Sequence, residues 1–179
     1  MQKRLTQQGF TLFEVILVLV LMGIFVSIAG SMILHAFKTN QDVRNAWDTL
    51  GKLRYTSERL AREVREVRRD PADLTAYDIT TWTASTLTFD RYDGTAVTID
   101  YTDADDKVEI TYPSVTGTAQ LLSDQVTSFT LSYLQSNRSD AATSTSDMAY
   151  VVVEMTLTDD GVNYQDQVGV NLRNRMGWY

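Results

Sequence analysis

Apolar residues follow three rhythms along this chain. Val15 to Leu34 is continuous: twenty residues, VILVLVLMGIFVSIAGSMIL, without a charge. A helix needs about 20 apolar residues to cross the hydrocarbon core of a bilayer, so this stretch predicts one membrane span. From Lys38 to Arg69 there is no proline, and the only glycine is Gly51. Here Val43, Leu50, Ser57 and Val64 form one row, and Ala46, Leu53, Leu60 and Val67 form another. Spacings of three and four mark one helix face. Arg44, Lys52, Arg59, Glu63, Arg65 and Glu66 fall mostly off it. Pro71 ends the pattern. The prediction is a helix from about Thr11 to Arg69, roughly 90 Å long at a rise of 1.5 Å per residue. Its stripe could face a second chain in a coiled coil or pack on the chain's own C-terminal sheet. The short row, the Ser57 within it and the β-rich sequence that follows favour the second.

From Tyr77 the period falls to two. Leu87 and Phe89 alternate with threonines, and Val97, Ile99 and Tyr101 follow the hairpin signal Asp93-Gly94. Val108, Ile110 and Tyr112 come after the turn around Asp103–Asp106. Phe129, Leu131 and Tyr133 make another strand, and Val151, Val153, Met155 and Leu157 a long one. Asp159-Asp160-Gly161 turns the chain, and Val168, Val170 and Leu172 close it. Short strands joined by turns imply antiparallel pairing, with one face on the helix and one wet, in one sheet or two small ones. Ser136–Asp147 reads as a polar, mobile surface loop. The expected class is α+β: a long N-terminal helix packed on a mostly antiparallel sheet. No internal repeat of fixed period is visible.

Charge sharpens this division. The chain has 179 residues, 16 basic and 23 acidic, for a formal net charge of −7. Residues 1–37 carry +1, residues 38–69 carry +4 and residues 70–179 carry −12. An acidic, water-facing body therefore follows a basic stalk. A basic nucleic-acid binder is disfavoured, and no nucleic-acid partner is expected. There are no cysteines and one histidine, His35, at the edge of the apolar run. That excludes disulfides, thiolate metal sites and cysteine nucleophiles, and leaves a Ser-His-Asp triad dependent on a membrane-edge histidine. Walker A, dinucleotide-binding glycine and HExxH motifs are absent. Asp103-Ala104-Asp105-Asp106 resembles a calcium loop only loosely, lacking the glycine and final glutamate of an EF-hand. No enzyme activity, cofactor or metal is expected.

Ahead of the apolar run stands Gln8-Gly9-Phe10-Thr11-Leu12-Phe13-Glu14, with Lys3 and Arg4 before it. An ordinary secretory signal has a shorter apolar core and a small-residue cleavage site after it. The sequence instead resembles the leader of type IV prepilins and pseudopilins. That resemblance implies a prepilin peptidase that cuts after Gly9 and methylates the new terminus, Phe10. It also implies that Glu14, the fifth mature residue, meets the amine of a neighbouring subunit during fibre assembly. The chemistry agrees: a glycine lets backbone approach a protease closely, and a carboxylate at the start of a membrane helix is costly and normally functional. Glu14 also lies where it favours the helix dipole. Gly23 and Gly30 interrupt the span; in such fibres this region can lose helicity, and small residues also allow close helix packing.

Ser57 to Glu66, SERLAREVRE, resembles the helix end of minor pilins and J-type pseudopilins, and its charges allow ion pairs such as Glu58–Arg62. The long β-rich part and the missing C-terminal cysteine pair point the same way. The resemblance divides the chain into a leader (1–9), a transmembrane or fibre-core helix (10–37), an amphipathic stalk (38–70) and a β-rich head (71–179). It implies a structural and assembly subunit of a type IV pilus-like or type II secretion filament. Its partners would be other pilin subunits, an inner-membrane assembly platform and lipid. The positive charge at Lys3 and Arg4 predicts a single pass through the bacterial inner membrane with the N-terminus cytoplasmic and the head periplasmic. The alternatives are a single-span anchor whose binding head never polymerises, and a major or adhesive pilin. The resemblance leaves open a low-probability calcium site in the head, as in related pseudopilins.

Overall fold

The structure, a computed structural model, describes residues 10–172. It contains one long helix, α1 (Leu12–Val64), and eight strands. Five form an antiparallel meander in the order β1-β2-β3-β4-β5: β1 (Ile79–Trp82), β2 (Thr86–Asp90), β3 (Ala96–Thr102), β4 (Lys107–Thr111) and β5 (Ala119–Ser123). Three form a second antiparallel sheet in the order β6-β7-β8: β6 (Val126–Leu134), β7 (Tyr150–Asp159) and β8 (Val162–Asn171). The α+β architecture is pilin-like. By their contacts, residues up to Asn45 form one unit and residues from Ala46 another.

The alternating residues read from the sequence bury as expected. Leu87, Phe89, Val97, Ile99, Val108 and Ile110 line the five-stranded sheet; Phe129, Leu131, Val151, Val153, Met155 and Leu157 line the three-stranded one. Two strands had no such signature. β1 (ITTW) and β5 (AQLLS) lack clean alternation, and β5 is mostly exposed. The β7–β8 hairpin turns on Asp160 and Gly161, both with positive φ (47° and 76°), as a two-residue type I′ loop requires.

The apolar stripe of α1 divides. Leu53, Leu60, Ala61 and Val64 are buried in one cluster with residues of both sheets, and Ser57 between them is buried too, so the stripe packs on its own body over this stretch. Val43, Trp47 and Leu50 stay exposed. Glu63, which the periodicity leaves off the face, is buried. Its carboxylate accepts from the Tyr112 hydroxyl at 2.8 Å and pairs with Arg59 at 2.9 Å, while Arg59 donates to the same hydroxyl at 2.7 Å. Burial first, then the hydrogen bond to Glu63, pushes the Tyr112 phenol up. Glu58 pairs with Arg54 at 3.0 Å rather than with Arg62.

The helix ends at Val64, five residues short of the expected Arg69, because the following backbone is used by the sheet. Arg68 N–H donates to Asp90, Asp78 N–H donates to Arg68, and Tyr92 N–H donates to Glu66. Val67 is buried and bridges Arg91. The Arg68 guanidinium, itself partly buried, spans Asp78 (2.8 Å) and Asp90 (2.7 Å), tying the start of β1 to the end of β2. Continuing the helix would forfeit these bonds.

The polar loop is more organised than its composition suggests. Ala142 is buried, and Ala142 N–H donates to Tyr133. The Asp147 carboxylate accepts from the backbone N–H of Ser144 (2.9 Å) and of Thr143 (3.2 Å), and from both hydroxyls. Bonding to the Ser144 and Thr143 amides holds the Asp147 carboxyl below the usual carboxylate range.

Two outcomes follow. Leu60, with no exposed surface, fills the joint between helix and sheets. Leu60→Ala should destabilise the folded body by about 2–5 kcal/mol in chemical denaturation; a loss below about 1 kcal/mol would mean that the helix is not part of the cooperative core. Because the Asp147 carboxyl is depressed in the fold, its bonds are fully present above the ordinary carboxylate pKa of about 3.9. They are lost as pH falls through the lower folded value. Hydrogen exchange at Thr143 and Ser144 should therefore stay protected at pH 5 and lose protection under stronger acid, and Asp147→Asn should weaken protection at both.

Candidate functional site

The site begins where the apolar helix begins. Thr11 caps α1: its carbonyl accepts from Glu14 N–H (3.1 Å) and Val15 N–H (3.2 Å), and its Oγ1 also meets Glu14 N–H at 3.3 Å. Thr11-Leu12-Phe13-Glu14 spells the T-x-x-E spacing of a capping box, so the threonine satisfies a donor that the first turn would otherwise leave free. Sequence reading took Thr11 only as a helix start; the spacing to Glu14 was the available signal for its capping role.

Glu14 is therefore in the first turn of α1, exposed, with the positive end of the helix dipole beside it. Phe10 precedes the helix and is exposed, one turn of sequence from Glu14. Gly9, Lys3 and Arg4 lie outside the described residues. Gly23 and Gly30 both lie within α1, and a Cβ added to either would meet nothing within 4 Å. Nothing among the described residues uses their small size.

The same is true of the whole run. Phe10, Leu12, Phe13 and the large apolar side chains from Val15 to Phe37 are all exposed. Exposed apolar surface costs about 25 cal/mol per Å² in water. A helix this apolar, with no cover from its own chain, requires an apolar environment of bilayer or like helices. Twenty uncharged residues at 1.5 Å each match the roughly 30 Å hydrocarbon core. Within such surroundings Glu14 is the one acidic group near the entry, and a cation is the partner that would offset its desolvation.

No other chemistry competes with this arrangement. Among the described residues, no three His, Asp or Glu side chains are grouped to hold a metal ion. Asp103–Asp105 form a single 3₁₀ turn, followed by Asp106 in the left-handed region. His35 is exposed on α1. Trp82 packs edge-on against Tyr133, whose hydroxyl donates to Thr83; Trp178 and Tyr179 lie outside the described residues.

The profile of the prokaryotic N-terminal methylation motif matches residues 4–30. No curated protein and no solved structure matches the chain. The matched span covers residues 4–9 ahead of the helix, the capped helix start and most of the exposed apolar run. With the pilin-like architecture, it supports a type IV pilin-like protein, with prepilin peptidase cleavage, N-methylation and a transmembrane helix. It implies assembly with other pilin subunits.

Proposed function

We propose that this chain is a minor pilin or pseudopilin: a structural and assembly subunit of a type IV pilus-like or type II secretion filament. The observation that carries the reading is the coincidence of the methylation motif, residues 4–30, with a capped helix whose apolar run has no cover from its own chain. The minor or J-type assignment draws on the SERLAREVRE helix end and the absence of cysteines. The subunit waits in the bacterial inner membrane with its N-terminus cytoplasmic and its β-rich body periplasmic, and carries out no catalysis. An assembly platform then draws it into the fibre. Moving α1 from lipid into a bundle of similar helices exchanges one apolar surrounding for another, so little hydrophobic free energy is lost.

Three residues carry the processing and assembly. Gly9 presents bare backbone to the peptidase, Phe10 becomes the methylated terminus, and the Glu14 carboxylate accepts the amine of a neighbouring subunit, fixing axial register. Gly23 and Gly30 lower the cost of local unwinding or close packing in the bundle.

Gly9→Val should leave a precursor that retains Lys3 and Arg4, read by intact mass after membrane extraction. Wild-type chain that keeps residues 1–9 in a host with active prepilin peptidase would overturn the assignment. Glu14→Leu should insert at least as readily, because it relieves a charge worth about 2.5–3.5 kcal/mol at mid-membrane and less near the interface, and should still be cleaved, because it lies beyond the scissile bond. Co-purification with other pilin-like subunits should fall at equal membrane abundance. Unchanged incorporation would mean that Glu14 serves only the helix dipole.

A further inference from the structure

The three-stranded sheet stops at β8, and its register decides what that leaves open. Thr158 N–H donates to Gln125 on the β6 side, and Leu172 N–H donates to Ala149 on the β7 side. Antiparallel pairs alternate, so Tyr164, Asp166, Val168 and Val170 exchange bonds with β7. The residues between them, among them Gln165, Gln167 and Gly169, turn their backbone groups to the free edge. Of these, Gln167 N–H is met by the adjacent Asp166 carboxylate at 3.0 Å. A row of free donors and acceptors with period two is a template for another strand.

A groove of about 780 Å³ runs between this edge and α1, inside the unit that begins at Ala46. Leu50, Leu53 and Val168 give it apolar lining. Arg62 and Arg65 also line it; both are exposed, and neither makes an ion pair among the described residues. Of the carboxylates that line the groove, Glu58 is held by Arg54 at 3.0 Å and Asp166 accepts from Gln167 N–H, which leaves Arg62 and Arg65 as its cations without an ion pair among the described residues. They select for carboxylates, which a guanidinium fork can hold with paired bonds.

We propose that the β8 edge and this groove bind an acidic, extended segment of another polypeptide by strand addition. The incoming main chain bonds Gln165, Gln167 and Gly169 as a fourth strand, displacing the Asp166 carboxylate from Gln167 N–H. Its helix-facing side chains cover Leu50 and Val168, and its carboxylates pair with Arg62 and Arg65. Main-chain bonds supply affinity and the side chains specificity. The inference is independent of whether the subunit polymerises.

The test uses the full chain in detergent micelles and a fluorescent, capped eight-residue peptide with serine at every second position and valine and glutamate taking turns at the others, so that both share one face, followed by anisotropy. Saturable binding is expected, at least tenfold weaker for Arg62→Glu/Arg65→Glu. The same peptide with lysine for glutamate should bind at least tenfold more weakly to the wild type. N-methylation of every second amide should abolish binding in one register and preserve it in the other. Equal binding of the glutamate and lysine peptides, equal tolerance of both N-methyl registers, or no saturable binding would each overturn the proposal. The N-methyl comparison needs no protein variant, so it holds even if the double substitution disturbs the fold.

Discussion

The body depends on one constraint: its two sheets cannot cover their apolar faces alone. A five-stranded and a three-stranded meander each present one buried face, and the last part of α1 supplies the shared cover. Leu53, Leu60 and Val64 share a single buried cluster with residues of both sheets. The helix is thus two materials in one element, a strip of core at its C-terminal end and an uncovered apolar rod at its other end.

Such a joint must be fixed in register as well as buried, and Glu63 does this. A buried carboxylate is costly unless paired and hydrogen-bonded. Here Arg59 pairs from the preceding turn and Tyr112 donates from just beyond β4, so the favourable geometry exists only when helix and sheet meet at this point. Arg68 repeats the device one step later, holding Asp78 and Asp90 together just where the helix has to stop. Apolar contact alone would tolerate sliding; these two charged knots do not.

Much of this was legible in the sequence because it rests on periodicity. The apolar run, the helix stripe and the six alternating strands all follow from spacing. β1 and β5 did not, since short strands with few inward residues carry no alternation. The helix end was overestimated because the heptad rows continue through Val67, which is buried, but in an extended bridge and not a helix. Glu63 was misread as surface because periodicity weighs polarity and cannot see Tyr112, 49 residues away. In the candidate site, Glu14 was legible from its motif. The capping role of Thr11 is written in the same four residues, whose T-x-x-E spacing the cleavage motif overlaps.

The meander order has a consequence for the speed of assembly of this body. Every strand pairing joins sequence neighbours, from β1–β2 through β4–β5 and from β6–β7 to β7–β8. Chain-closure entropy rises only slowly with loop length and is smallest for such hairpins, and low contact order goes with fast folding. The tight Asp160-Gly161 turn gives the longest pairing, ten residues against ten, the shortest loop. Folding therefore reduces to two local zippers and their long-range docking, on each other through bonds such as Leu131 N–H to Ala84 and on Thr49–Val64 of the helix, with the strand order in each sheet already set by the chain itself.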